Sequence, residues 1–289
     1  MFQEWLLNDA LQVAAHLDAQ IATLDDVPVT HAMRYAASGG KGLRGFLVME
    51  TAYIYNVNRE NAIWAAAAIE AIHAYSLIHD DLPCMDDDDL RRGQPTVHVK
   101  WDQATAVLAG DALHTLGFEL VCDPRCHEDP AIRADLALSL ARAAGARGMV
   151  LGQALDIAAE TADTPLNLEE ITALQAGKTG ALIQWSAEAG ARLVGEDPLL
   201  LTRYAKALGL AFQIADDLLD VEGDAAEAGK RLQKDEAAGK ATFVSLLGVE
   251  GAKSRAKSLV TEACDALSVY GEKAETLREA AHFVISRRS

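Results

Sequence analysis

The stretch ENAIWAAAAIEAIHAYSLIHDD, residues 60–81, limits the possible folds more than any other part of the chain. It is very rich in alanine, the best helix former, and Pro83 ends it. A helix apolar around much of its circumference must be covered on all sides, which places it in the middle of a large bundle. Only seven prolines occur in 289 residues and half of the residues are hydrophobic, so there is material for an all-α core. No low-complexity segment or linker divides the chain, and one all-α domain over 1–289 is expected.

Helical periodicity recurs between short breaks. It predicts helices over 2–24, from Pro28 to the glycines at 39 and 40, over 44–57, 60–81 and 101–122, and one or two over 130–162. Asn167 with Glu170 forms a capping pair opening a further helix, whose Gly177 and Gly180 suggest a kink or a close approach. Another helix follows over 198–222, and two or three close the chain. Residues 82–96 read as a loop, and 223–240 as a mobile loop.

The formal net charge is -17, from 43 acidic and 26 basic residues. That argues against a nucleic-acid partner, which needs a basic surface, but not against a small anion met by local cations or a metal. Cys84, Cys122, Cys126 and Cys264 form no C-x-x-C pair and read as reduced thiols of a cytoplasmic protein. The start, MFQEWLLNDALQ, lacks the basic segment and apolar run of a signal peptide. No apolar stretch approaches ~18 residues without polar interruption, so membrane insertion is not expected.

Two acidic clusters need an explanation. In SLIHDDLPCMDDDDLRRGQPT, residues 76–96, Asp80 and Asp81 end the alanine-rich helix and Asp86 follows Asp80 by six residues. On a continuous helix six residues turn ~600°, so Asp86 returns to Asp80 only because Pro83 breaks the helix. In FQIADDLLD, residues 212–220, Asp216 and Asp220 share one helical face, and Gln213, Asp217 and Asp220 lie on nearly the same stripe. Crowded carboxylates are costly unless cations neutralise them, and oxygen ligands suit Mg2+. Asp87, Asp88 and Asp89 read as solvated surface charge.

Basic groups answer these clusters. Lys41 and Arg44 in GGKGLRG, residues 39–45, stand at a helix start, which favours anions and is equally an ordinary turn. His73 precedes Asp80 by seven residues on the same side of the helix; alone it reads as a core histidine. Arg91 and Arg92 close the acidic loop, as charge balance or as ligand groups. AGKTG, residues 176–180, sets Lys178 and Thr179 in an apolar helix, where a buried lysine is costly unless it meets an anion. Lys230 and Lys240 stand in the 223–240 loop, and the terminal Arg287 and Arg288 read as surface charge or as a cover for the site.

Taken together, these motifs resemble the trans-prenyltransferases, also called polyprenyl synthetases, in order from about residue 34 to about 248. The four-residue gap in DDLPCMD resembles the bacterial form, nearest the farnesyl diphosphate synthase branch. The resemblance implies an all-α bundle around a deep central cavity, usually a homodimer, acting on isopentenyl diphosphate and an allylic diphosphate. It implies that Asp80, Asp81, Asp86, Asp216, Asp217 and Asp220 serve Mg2+ on the allylic diphosphate, with Arg91, Lys178, Lys230 and Lys240 on the same group. Lys41, Arg44, His73 and Arg92 resemble the isopentenyl diphosphate site, and Thr179 and Gln213 would line the reacting region. GQALD, residues 152–156, matches a further family segment, with Gln153 and Asp156 behind the contact residues.

Tyr75, five residues before Asp80, resembles the aromatic floor that limits product length, beside the small Ser76; it also reads as simple core packing. Two departures stand out. The first motif is usually GGKRLRP, and Gly42 and Gly45 here predict a looser loop; Lys234 stands where the family favours glycine. The competing readings are a geranylgeranyl or longer-chain synthase, a terpene cyclase, whose second motif FQIADDLLD does not match, and a non-catalytic isoprenoid-binding subunit.

Overall fold

A computed structural model describes residues 2–162, 164–222 and 241–286. The motif residues Lys230, Lys234 and Lys240, the predicted 223–240 loop, and Arg287 and Arg288 lie outside the described residues. What is described is almost entirely helical. The chain divides into two compact units, residues 1–138 with 189–196, and residues 139–188 with 197–289.

In the first unit α1 (Phe2–Ile21), α2 (Pro28–Ala37) and α3 (Leu43–Ile54) precede the alanine-rich α4 (Arg59–Asp80). Asn58 caps α4 by accepting the Glu60 N–H at 3.0 Å, and the helix stops three residues before Pro83. Its alanines at 62, 65–68, 71 and 74 are buried, as the all-round apolar pattern requires. Helix α6 (Gln103–Cys122) packs along α4, where Gly110 and Gly117 make room for His79 and Ile72. A Cβ at Gly110 would come within 2.1 Å of the His79 ring. By length and composition alone α6 could cross a membrane, but Asp111, His114 and Glu119 interrupt it and one face of it is buried against α4.

The predicted loop 82–96 contains a small hairpin, β1 (Leu90–Arg91) paired antiparallel with β2 (Gln94–Pro95), and the short α5 (Val97–Lys100) follows it. Arg92 and Gly93 form its two-residue turn with φ of 54° and 74°, the positive values such tight turns demand. Tyr35 ties the hairpin to α2 by donating to the Pro95 carbonyl at 2.7 Å.

The 130–162 segment is two helices, α7 (Pro130–Ala144) and α8 (Met149–Glu160). In the second unit α9 (Leu168–Gln175) starts at the predicted capping box: Asn167 accepts the Glu169 and Glu170 N–H groups, and Glu170 accepts that of Asn167. The chain then makes one π-helical turn, Ala176–Gly180, before α10 (Ala181–Arg192) and α11 (Leu199–Glu222). Helix α12 (Phe243–Ala266), a 3-10 segment (Ser268–Ala274) and α13 (Glu275–Ser286) close the chain. Tyr204 of α11, fully buried, donates to the Leu277 carbonyl at 2.9 Å and joins α11 to α13.

Candidate active site

The first half-site grows from the end of α4. Carboxylates at a helix C-terminus oppose the helix dipole, so Asp80 and Asp81 stand where cations are favoured. Beyond Pro83 the chain turns back until the Asp86 N–H donates to the Asp80 carbonyl at 2.8 Å. Asp86 thus returns to Asp80 through the break at Pro83, as its spacing requires. Asp81 is buried and accepts from Nε of Arg91 at 2.9 Å, with Nη2 on the same oxygen. Burial raises the Asp81 carboxyl from its usual range, and Arg91 opposes that rise. Burial likewise pulls Arg91 down, but its bond to Asp81 and the charges of Asp81, Asp88 and Asp80 together outweigh this, and the guanidinium stays charged. Asp88 lies 3.9 Å from Arg91, so it is not simple surface charge, while Asp87 and Asp89 are exposed.

Neighbouring in sequence, Arg91 and Arg92 serve different places. Arg91 sits on β1 and reaches Asp81, whereas Arg92, in the turn, reaches back to donate to the Ser38 carbonyl at 3.1 Å. Left-handed backbone at a non-glycine residue is strained and often marks function. Gly40 leaves space for this guanidinium, since a Cβ there would lie 3.0 Å from Nη2 of Arg92. Arg44 and His73 join Arg92. Burial lowers the Arg44 guanidinium, Glu70 raises it and Arg92 lowers it again, and its Nε is buried without a hydrogen-bond partner. His73 is held well below its usual value by burial and by Arg44, Arg92 and Arg91, so the imidazole is neutral. Lys41 is exposed at the loop tip.

Gly42 and Gly45, the glycines expected to loosen this loop, both make close contacts. Gly42 has φ of 63°, and a Cβ there would meet that of Ala10 at 2.5 Å. Gly45 donates its N–H to Glu70 at 2.7 Å. Both glycines are held by close contact.

Tyr75 is buried on α4, with its ring edge-on to His114 of α6 at 4.7 Å and to His79 at 5.8 Å. Phe118 backs His114 at 5.3 Å. Burial, then Asp80, pushes the Tyr75 hydroxyl up to about 12, so it is neutral. Ser76 donates within α4 to the His73 carbonyl.

The second half-site is built differently. In the π turn one extra residue per turn redirects Lys178 and Thr179. Gly152 and Gly177 bring α8 and this turn into backbone contact, since a Cβ on Gly152 would lie 2.0 Å from the Lys178 nitrogen. That is the close approach the glycines of AGKTG suggested. Lys178 is half-buried rather than buried, and its Nζ meets Asp156 of α8 at 2.6 Å, an anion beside it. Gln153, one turn before Asp156, has its Nε2 buried without a partner. Thr179 lies 3.4 Å from Oε1 of Gln213, a long contact, and Gln213 donates to Asp217 at 3.0 Å. The other Asp217 oxygen accepts the Phe243 N–H at 2.7 Å and caps α12. Asp216 and Asp220 are half-buried, one turn apart near the end of α11. Among the described residues no three His, Cys, Asp or Glu side chains are gathered closely enough to hold a metal unaided. Each cluster, taken by itself, offers oxygen donors of the kind a hard cation takes, with water and other oxygen ligands completing its shell.

Reasoning from sequence overlooked Glu70 and His114. Glu70 had a signal, as the only carboxylate inside the apolar run AAAAIEAIHAY. His114 had none, because its part depends on how α6 lies against α4.

Comparison with known proteins agrees with this geometry. Residues 27–280 match the polyprenyl synthetase family model. The farnesyl diphosphate synthase of Haemophilus influenzae is 42% identical, with 100% of this chain and 99% of that protein covered. That of Escherichia coli is 45% identical, covering 91% and 90%. The crystal structure of an FPP/GFPP synthase from Zymomonas mobilis superposes with a TM-score of 0.87 at 48% identity, covering 96% of this chain and 98% of that one. With two aspartate motifs on an all-α frame and a match over most of its length, the chain belongs to the polyprenyl synthetase family.

Proposed function

We propose that this chain is a farnesyl diphosphate synthase. It joins isopentenyl diphosphate head-to-tail to dimethylallyl and then geranyl diphosphate, releasing inorganic diphosphate. The observation that carries this reading is the division of labour between Arg91 and Arg92: one closes on the aspartates, the other on the glycine loop. Two adjacent cations aimed apart suit a reaction that holds two diphosphates at once.

Members of this family use divalent metal ions, and Mg2+ is the proposed ion here. Asp80, Asp81 and Asp86, with Asp216, Asp217 and Asp220, would hold it. When bound, it supplies Lewis-acid neutralisation of the charge growing on the leaving diphosphate. Arg91 and Lys178, with Lys230 and Lys240, orient that diphosphate and carry part of its charge. Lys41, Arg44 and Arg92 anchor isopentenyl diphosphate, and the neutral His73 can donate one hydrogen bond to it. The hydroxyl of Thr179 and the carbonyl of Gln213 turn their dipoles toward the allylic carbon as positive charge develops. As the allylic carbon–oxygen bond breaks and its electron pair leaves with the diphosphate, the double bond of isopentenyl diphosphate forms the new bond to that carbon, and the proton then lost goes to the departing diphosphate. Holding both diphosphates away from the reacting carbons supplies the orientation. Tyr75, steadied by His114, is the proposed floor that stops growth at fifteen carbons.

The enzyme is proposed to work in the cytoplasm as a homodimer, and to fold as one domain over 1–289. Free cysteines support the first, and large apolar side chains left exposed, such as Leu108 and Leu138, support the second. The decisive assay measures diphosphate release from isopentenyl and geranyl diphosphates with and without Mg2+, with product length read by mass. Metal-dependent release and a fifteen-carbon product are expected. No release under any metal condition would return the chain to the non-catalytic reading, and a twenty-carbon product to the longer-chain one.

A further inference from the structure

Glu70 has no part in the chemistry above, yet its charge acts on both Arg44 and Arg92. It lies on α4 three residues before His73, and its Oε1 accepts the Gly45 N–H at 2.7 Å. Gly45 is the third residue of α3, where a backbone N–H has no partner within the helix. Glu70 is therefore a cap for α3 supplied by another helix, and its negative charge suits that helix end. It is also the carboxylate that raises both Arg44 and Arg92 against their burial. The absence of a side chain at position 45 eases the contact, since a Cβ would lie 3.1 Å from Cγ1 of Val13 and 3.3 Å from Cγ of Glu70 and would make them give slightly.

The bond is tied to a peculiarity of this sequence. The resembling motif ends in proline where Gly45 stands here. A proline has no N–H to donate, but its ring fixes the backbone angle by itself. We infer that Glu70 is a positioning residue: through the Gly45 N–H it fixes the first turn of α3, and so aims Arg44 at the diphosphate of isopentenyl diphosphate. This rests on the assignment of Arg44 proposed above. In this chain a hydrogen bond takes over the rigidity that a ring supplies in the commoner motif.

The test is steady-state kinetics on the full chain with both substrates varied. E70A should raise KM for isopentenyl diphosphate about tenfold, the value of one hydrogen bond to a charged group. KM for geranyl diphosphate should stay within about twofold. E70Q keeps an acceptor for Gly45 and should recover most of the loss. In the double variant E70A/G45P the ring refixes the turn, and it should recover most of the loss too. An unchanged KM in E70A, an equal rise for both substrates, or failure of both rescues would overturn the inference. If E70A does not fold, E70A/G45P is compared with wild type, and a rise of about tenfold overturns it. R44A separates the two levels. If it leaves KM for isopentenyl diphosphate unchanged, the Arg44 assignment falls and the inference with it; if it raises KM while E70A does not, only the role of Glu70 falls.

Discussion

The two carboxylate groups meet the same physical difficulty and resolve it in different ways. Each gathers aspartates at the C-terminal end of a helix, where the dipole disfavours negative charge. At the end of α4 the answer is ionic: Asp81 is gripped by Arg91, delivered by a hairpin ten residues on. At the end of α11 it is neutral and structural: Asp217 accepts from the Gln213 amide and from the Phe243 N–H that opens α12. The cation of the second group, Lys178, is held on Asp156 instead. A carboxylate held by a partly exposed arginine can change partners when a ligand arrives without disturbing the fold. A carboxylate that caps a helix must keep those bonds and meets a ligand only with its remaining lone pairs.

This difference gives the largest expected effect. D81A and D217A should each lower kcat/KM by about a thousandfold, the scale of losing a transition-state interaction of about 4 kcal/mol. Stability should separate them. D217A leaves a buried Phe243 N–H without an acceptor, at a cost of about 1–3 kcal/mol, and Tm should drop by several degrees. D81A leaves Arg91 able to turn to water, and its Tm should stay close to wild type. Calorimetry on both variants checks this, and equal Tm values would break the comparison.

Next in size is product length, which belongs to the first half-site alone. Y75A removes the ring that His114 and His79 meet edge-on, opening space below Asp80. The main product should gain at least one five-carbon unit, as read by chromatography of the dephosphorylated products. A folded, active variant that still made only the fifteen-carbon chain would leave Tyr75 as plain core packing.

What the sequence revealed of these two regions follows from the range of the interactions. Asp216 and Asp220 were legible from helix periodicity, Asp86 from the Pro83 break, and the Asn167 cap from its Glu170 partner. All are local. The hairpin at 90–95 is not legible in the sequence, because two-residue strands leave no alternation to detect. Lys178 and Asp156 each stand out in the sequence, but their pairing depends on glycines 152 and 177 letting backbones touch, and that is tertiary. Gly45 shows the limit most clearly. Read alone it is a loosened proline; seen beside Glu70 it is a donor that proline could not be.

The smallest effect concerns pH and again divides the two regions, because the second half-site uses Lys178 where the first uses His73. Burial, with Arg44, Arg92 and Arg91, holds His73 well below its ordinary 6.5. The unfolded chain then takes up a proton below pH 6.5 that the folded protein refuses. The contribution of this group to stability is whole above pH 6.5 and is lost as pH falls from there toward the folded value. H73Q should flatten the fall of Tm with pH in that window, while His16 and His114, also lowered by burial, keep part of the slope. Isopentenyl diphosphate should flatten it in the wild type, because a bound anion favours the protonated ring. Thermal melts from pH 7 down to pH 5, with and without that ligand, measure both. If the slope is the same in H73Q as in wild type, the cations around His73 do not set its protonation, and the contrast between the half-sites reduces to their carboxylates.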